Sequence, residues 1–438
     1  MDRLQDQEDR PAVSLTPLLH ESRVGWDVLN DHYGALLRLV DTVLGVVPDC
    51  DRYLEIWPPA FRTYNILVPN LLNLPVPVLG LGGPPPGVVG LTMYVASRVA
   101  GCPYCSAHSC SFAMRRGASP DKVAAALVPD RTSFTRGELA AIAVARSLAR
   151  VPCELTAAER GELVDVYGER NAEWVALGAV MMGFLNKFMD SIGVALEQFV
   201  VSEVSSTMGA GWSPGKAGTL LDPAAPERPV PPVDGLRTRM RLLPLLPAAI
   251  RFDRRWQRET PSRRSRSTIS RSAWPDIAPF LSERTGHNFP VLERLQSRRA
   301  RRSIASMLQQ NLDPASSVVG VECKVLAGAI FAEIVSDARL ADDIGALARH
   351  AGIDSEALGD TIAYARSDGM SSPAGSRTES ASLALARAAS YSPARIDAAT
   401  VHACQEGGLS PAAVVEIITW LSVLQMLHRL TCFLTVGD

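Results

Sequence analysis

The sequence predicts an all-α protein made of two helical halves. Apolar residues recur at helical spacing through most of 120–201, in "PDKVAAALV", "TRGELAAIAVARSLARV", "AAERGELVDVYG" and "AEWVALGAVMMGFLNKFMDSIGVALEQFVV". Alternating β-branched runs are few. A proline-rich stretch, 213–235, separates segments that resemble one another.

Taken in order, the N-terminal "MDRLQDQEDRPAVSLTPLLHES" carries acids where a signal peptide has a basic then an apolar run. No export signal is expected, and a cytoplasmic protein follows. The apolar stretch "NILVPNLLNLPVPVLGLGGPPPGVVG" is broken by proline and glycine before it would span a bilayer, so no membrane partner is expected. Helix starts are marked by Ser119 ahead of Pro120, and by Thr156 with Glu159 in a capping box. The run 172–201 reads as one continuous helix. With 438 residues, the chain is expected to divide into a first domain (1–212), a linker (213–235) and a second domain (236–438).

The second half resembles the first. "TRGELAAIAVARSLARVP" (135–152) lines up on "SRTESASLALARAASYSP" (376–393), placing Glu138 on Glu379 and Arg146 on Arg387. Gly117 falls on Gly352, and "GFLNKFMD" (183–190) falls near "SVLQMLHR" (422–429). The shared order points to an internal duplication. In this register Cys102, Cys105 and His108 fall on Asp337, Leu340 and Asp343, so any thiol chemistry belongs to the first half alone.

Three of the eight cysteines and one of the seven histidines sit together in "VAGCPYCSAHSCSF" (99–112). Gly101 ends one helical segment and Pro103 suits the first turn of the next, which puts Cys102 at an N-cap. Cys102, Cys105 and His108 then follow one helix face at i,i+3 spacing. A sulfur at a helix start is near unpaired N–H groups that favour thiolate, its neighbour is close enough for a disulfide, and His108 can take a proton. On this reasoning Cys102 is the more acidic thiol. Zinc held by Cys102, Cys105, His108 and Cys110 is the rival reading, but Cys110 lies on another face and no second CxxC exists. Haem attachment would need histidine where Ser106 stands. Cys50, Cys110, Cys153, Cys323, Cys404 and Cys432 read as small buried hydrophobes. His32, His287 and His428 have no neighbours at ligand spacing and read as structural.

The stretch "VASRVAGCPYCSAHSCSFAMRRGASPDKVAAAL", with "FTRGELAAIAVARSLAR" and "VMMGFLNKFMDSIGVALE", resembles the AhpD-like alkylhydroperoxidase branch of the carboxymuconolactone decarboxylase superfamily over about residues 85–200. The second half resembles the same fold faintly, without the motif. The resemblance implies two AhpD-like helical domains, the second lacking CxxC, and a homo-oligomer. It implies reduction of hydroperoxides, or electron transfer through a CxxC disulfide, with a lipoyl- or thioredoxin-like protein as reductant. By position Cys105 is the attacking thiolate and Cys102 the resolving thiol. Members with a full proton relay carry glutamate twelve residues before the first cysteine; here that residue is Gly90, and no acid occurs from Ile56 to Pro120. Those members place histidine where Ser109 stands, one position after His108. Asp190, which forms an i,i+4 polar pair with Asn186, is the candidate replacement carboxylate.

The expectation is therefore a thiol-dependent peroxidase or disulfide oxidoreductase. Its catalytic residues are Cys102, Cys105 and His108, supported by Ser109, Asn186 and Asp190, and it needs no cofactor or metal. The substrate is a small hydroperoxide or another organic molecule. Two alternatives stand: a non-peroxidase biosynthetic enzyme of the superfamily using His108 as acid/base, and a redox-sensing binding protein.

Between Leu236 and Arg302 lie 17 arginines and 5 acids, in a chain whose formal net charge is −2. This run reads as a solvated helix face, or as a surface paired with the acidic remainder of the chain. No nucleic acid partner is expected. "GLGGPPPG" (80–87) lacks the Lys-Ser/Thr of a phosphate loop, and no GxSxG elbow supports a hydrolase triad.

Overall fold

The computed structural model describes residues 13–77, 79–209, 212–216, 218–220, 235–257, 277–367 and 375–437, and they form an all-α fold. The first half contains α1 (Thr16–Leu19), α2 (Trp26–Leu44), α3 (Cys50–Leu54), α4 (Pro58–Leu71), α5 (Pro86–Val99), α6 (Pro103–Arg115), α7 (Pro120–Ala125), α8 (Arg136–Ala149), α9 (Ala157–Tyr167), α10 (Glu169–Ile192) and α11 (Gln198–Met208). The second contains α12 (Leu236–Leu242), α13 (Leu246–Trp256), α14 (Ile277–Thr285), α15 (Arg298–Asn311), α16 (Val321–Ile334), α17 (Ala338–Ala351), α18 (Ser355–Arg366), α19 (Arg377–Ser390), α20 (Ala398–Glu406) and α21 (Pro411–Thr435).

Local chemistry sets the boundaries. Ser119 and Thr156 cap α7 and α9 as expected, and Thr135 with Glu138 adds a capping box at α8. The expected single helix over 172–201 does not form. Gly193 adopts φ 72°, its N–H closes on Met189 O at 2.9 Å, and α10 ends. Leu196 and Glu197 then form a two-residue strand, β1, in parallel with β2, Thr219 and Leu220. The beginning of the expected linker thus carries a strand; residues 221–234 lie outside those described.

Alpha-10 and α21 form the central seam between the halves. Both are long and apolar enough to cross a bilayer, yet 89% of each apolar window is buried inside the protein. They approach so closely at Gly183 that a Cβ there would lie 2.9 Å from Gln425 O. Polar groups complete the seam. Lys187 Nζ donates to the carbonyls of Ala389 (2.9 Å), Ser390 (3.0 Å) and Tyr391, and Arg429 Nη1 donates to Ala179 O at 2.9 Å. One continuous apolar core runs through both halves.

Segments aligned in sequence share local caps and hydrogen bonds in the two halves. Thr135 and Ser376 cap α8 and α19 through the N–H groups of Glu138 and Glu379. Arg146 and Arg387 each donate to a carbonyl beyond the preceding helix, Leu127 O and Ser367 O. Cys102 and Asp337 are both N-caps that accept from the residue three positions on.

The basic run divides: Arg241, Arg251, Arg254 and Arg255 on α12 and α13 are exposed, the solvated face expected, whereas α15 is packed inside. Helix α15, which carries "RRARR", packs on α4, and Arg299 Nε donates to Asn70 Oδ1 at 2.7 Å. Ala300 and Ser303–Asn311 of α15 are buried, while Arg298 at its start stays exposed. The remainder of "RRWQRETPSRRSRS" beyond Gln257 lies outside the described residues.

Candidate active site

Cys102 caps α6 in extended conformation (φ −98°, ψ 101°), directly after Gly101 at φ 71°. Its sulfur accepts the Cys105 N–H at 3.3 Å, as a helix-capping side chain does. The next turn brings Cys105 beneath it and His108 beyond. Both sulfurs are buried, Cys102 at 1% and Cys105 at 3% exposure. Burial, then the hydrogen bond to Cys102, push the Cys105 thiol well above the ordinary cysteine range. At rest, Cys105 holds its proton and Cys102 is the sulfur that receives hydrogen bonds.

His108 is anchored from outside its own helix. Its Nε2 lies 2.8 Å from Glu197 Oε2, and its ring packs on Tyr104 at 4.5 Å between centroids. Glu197 Oε1 accepts from Tyr104 Oη at 2.8 Å and from the Asp49 N–H at 2.6 Å. Burial works to raise the Glu197 pKa, but His108 and the Asp49 N–H outweigh it and hold the carboxylate below its usual range. Nearby Asp51 is fully buried, and neither carboxyl oxygen has a partner among the described residues. Burial first, then the charges of Glu197 and Asp49, push its pKa far up.

Cys105, His108 and Ser109 line one cavity of about 70 Å³. Cys50, Tyr64 and Tyr104 add polar atoms, while Met93, Phe112, Met181, Met182 and Met189 make most of the wall apolar. Cys102 stands behind Cys105 and is not part of that wall. The site therefore pairs a pocket-facing thiol with a histidine–carboxylate dyad, the arrangement that removes a proton from a thiol or from a bound organic molecule.

Neither family models nor curated proteins match the chain. Two solved structures are similar to part of it. The apo debrominase Bmp8 has a TM-score of 0.36 and 21% identity, over 42% of this chain and 94% of that one. A cysteine-to-alanine variant of Bmp8 in complex with 2,3,4-tribromopyrrole has a TM-score of 0.35 and 21% identity, over 40% and 90%.

The supporting residues fall differently from expectation. Ser109 Oγ donates back to Cys105 O at 2.5 Å, so its hydroxyl serves its own helix. Asn186 Nδ2 donates to Ala96 O at 3.3 Å. Asp190 accepts the Ala394 N–H at 2.6 Å and pairs with Lys216 at 3.6 Å, and its charge adds to those that raise the Cys105 thiol. The carboxylate beside His108 is Glu197. Gly90 has a packing reason, because a Cβ there would lie 2.5 Å from Ala113 Cα where α5 crosses α6. Cys110 is buried, and burial pushes its thiol up to about 12. His287 and His428, expected to be satisfied structural histidines, lie 2.7 Å from Asp343 and 2.7 Å from Asp337.

Proposed function

We propose that the first half is an AhpD-like thiol oxidoreductase that reduces organic hydroperoxides at Cys105. The observation that carries this reading is the shared cavity wall of Cys105 and His108, with His108 fixed by Glu197. The duplicated arrangement of α8 and α19, and of the Cys102 and Asp337 caps, supports descent of the second half from the same unit.

In the reaction, His108 takes the Cys105 proton and the thiolate attacks the terminal oxygen of ROOH. The O–O bond breaks, ROH leaves with the proton from His108, and Cys105 becomes a sulfenic acid. Cys102 attacks that sulfur, water leaves, and the Cys102–Cys105 disulfide forms. An external dithiol, of the lipoyl or thioredoxin kind, returns both thiols. A reducing, cytoplasmic compartment would return the pair to its dithiol form between turnovers.

Reduced protein is treated with tert-butyl hydroperoxide and its thiols are counted. A loss of two thiols, with one ROH formed, is expected; Cys105→Ser abolishes it. Unchanged thiols in the wild type would sink the reading. The apolar cavity also suits His108 as an acid/base on an organic substrate, and that alternative predicts turnover that survives Cys102→Ser.

A further inference from the structure

The second half holds a grouping that the thiol site does not use. Asp337 Oδ1 accepts the Leu340 N–H at 3.0 Å, capping α17 where Cys102 caps α6. Its other oxygen, Oδ2, lies 2.7 Å from His428 Nδ1. Cys432, one turn further along α21, places Sγ 3.9 Å from the same nitrogen. The three ligand atoms lie within 4.8 Å of one another. Cys153, in the loop after α8, stands beside Cys432, close enough for each thiol to perturb the other. Cys153 and Cys432 therefore do more than pack.

We propose that Asp337, His428, Cys432 and Cys153 form a binding site for a thiophilic divalent metal ion of the zinc class. Two thiols, an imidazole and a carboxylate make a donor set of the right number and softness for a tetrahedral ion. A cysteine–histidine–aspartate relay would place Cys and Asp on opposite ring nitrogens. Here both face Nδ1, while Nε2 is buried without a partner among the described residues. Asp337, His428 and Cys432 converge on one point, with Cys153 beside Cys432 as the fourth donor.

Charge supports the same assignment. Arg429 is fully buried beside both thiols, and its Nε and Nη2 have no partner among the described residues. With a dication bound, its two charges and that of Arg429 are balanced by two thiolates and one carboxylate. Cys153 and Cys432 are only partly buried, which leaves an entry path on the thiol side. Cys153 comes from the first half and the other three residues from the second, so the ion would tie the halves together.

The test uses the full chain, reduced and freed of metal by chelation, titrated with Co²⁺. One equivalent is expected to bind, with thiolate-to-cobalt charge-transfer absorption that Zn²⁺ removes. Cys432→Ser and His428→Gln should each weaken binding more than ~100-fold, beyond the loss of an outer partner. The Cys102→Ser/Cys105→Ser double variant should bind as the wild type does. No charge-transfer band in the wild type overturns the site, and so does a band lost only in the Cys102/Cys105 variant. A Cys153–Cys432 disulfide that reforms after reduction in the presence of Zn²⁺, with no metal retained, also overturns it. Because the wild-type titration decides first, a variant that fails to fold leaves the proposal testable.

Discussion

His108 Nε2 and Glu197 Oε2 lie 2.8 Å apart although 89 positions separate them in the chain. The contact exists because Gly193 stops α10 and turns the backbone into β1. Glu197→Gln keeps the shape and removes the charge. Peroxide-dependent thiol oxidation should fall by about 10²-fold in kcat, within the usual span for general-base loss, with an unchanged far-UV CD spectrum.

Cys105 reactivity should rise with pH. Its thiol is held well above the ordinary range by burial and by Cys102, so the thiolate is scarce at neutrality. Each pH unit should raise alkylation of Cys105 by about tenfold from pH 6 to 9. Peptide mass mapping after timed iodoacetamide treatment reads this directly, and a rate independent of pH would contradict it.

Gly90→Ala should destabilise the fold by about 2–3 kcal/mol, because α5 and α6 must part to admit the methyl group. Gly90→Glu should fare worse and restore no proton relay. Urea midpoints measure both.

Lys187→Met should cost about 3 kcal/mol. It leaves the carbonyls of Ala389, Ser390 and Tyr391 buried without their shared donor. The loss should appear as a lower denaturation midpoint with little change in slope.

Asp51 gives a pH signature. Its pKa is raised in the folded state, so the native protein binds more protons than the unfolded chain above the ordinary aspartate range. Stability at this residue is therefore full below the unfolded pKa and falls as pH rises toward the folded pKa, by about 1.4 kcal/mol per unit. Asp51→Asn should flatten that decline in a series of Tm measurements.

Much of the fold was legible because helix periodicity and caps are local signals. Cys102 at an N-cap, the α7 and α9 starts and the α8–α19 likeness all follow from residues a few positions apart. Glu197 was hidden inside an apolar run that reads as uninterrupted helix, and only Gly193 hinted at the break. Asp190 showed the reverse: its i,i+4 pairing with Asn186 was visible, but its partner, the Ala394 N–H, arrives from the other half. The i,i+4 spacing of His428 and Cys432 was passed over in the sequence, where His428 reads as structural, because Asp337 and Cys153 join them only through long-range packing.

The α10–α21 seam closes within a single chain, so its formation is a first-order event. Dilution cannot separate these two helices by mass action, as it would two subunits. Activity per mole should therefore stay constant at concentrations low enough to dissociate a homodimer, because the second half is already packed against the helix that lines the thiol pocket.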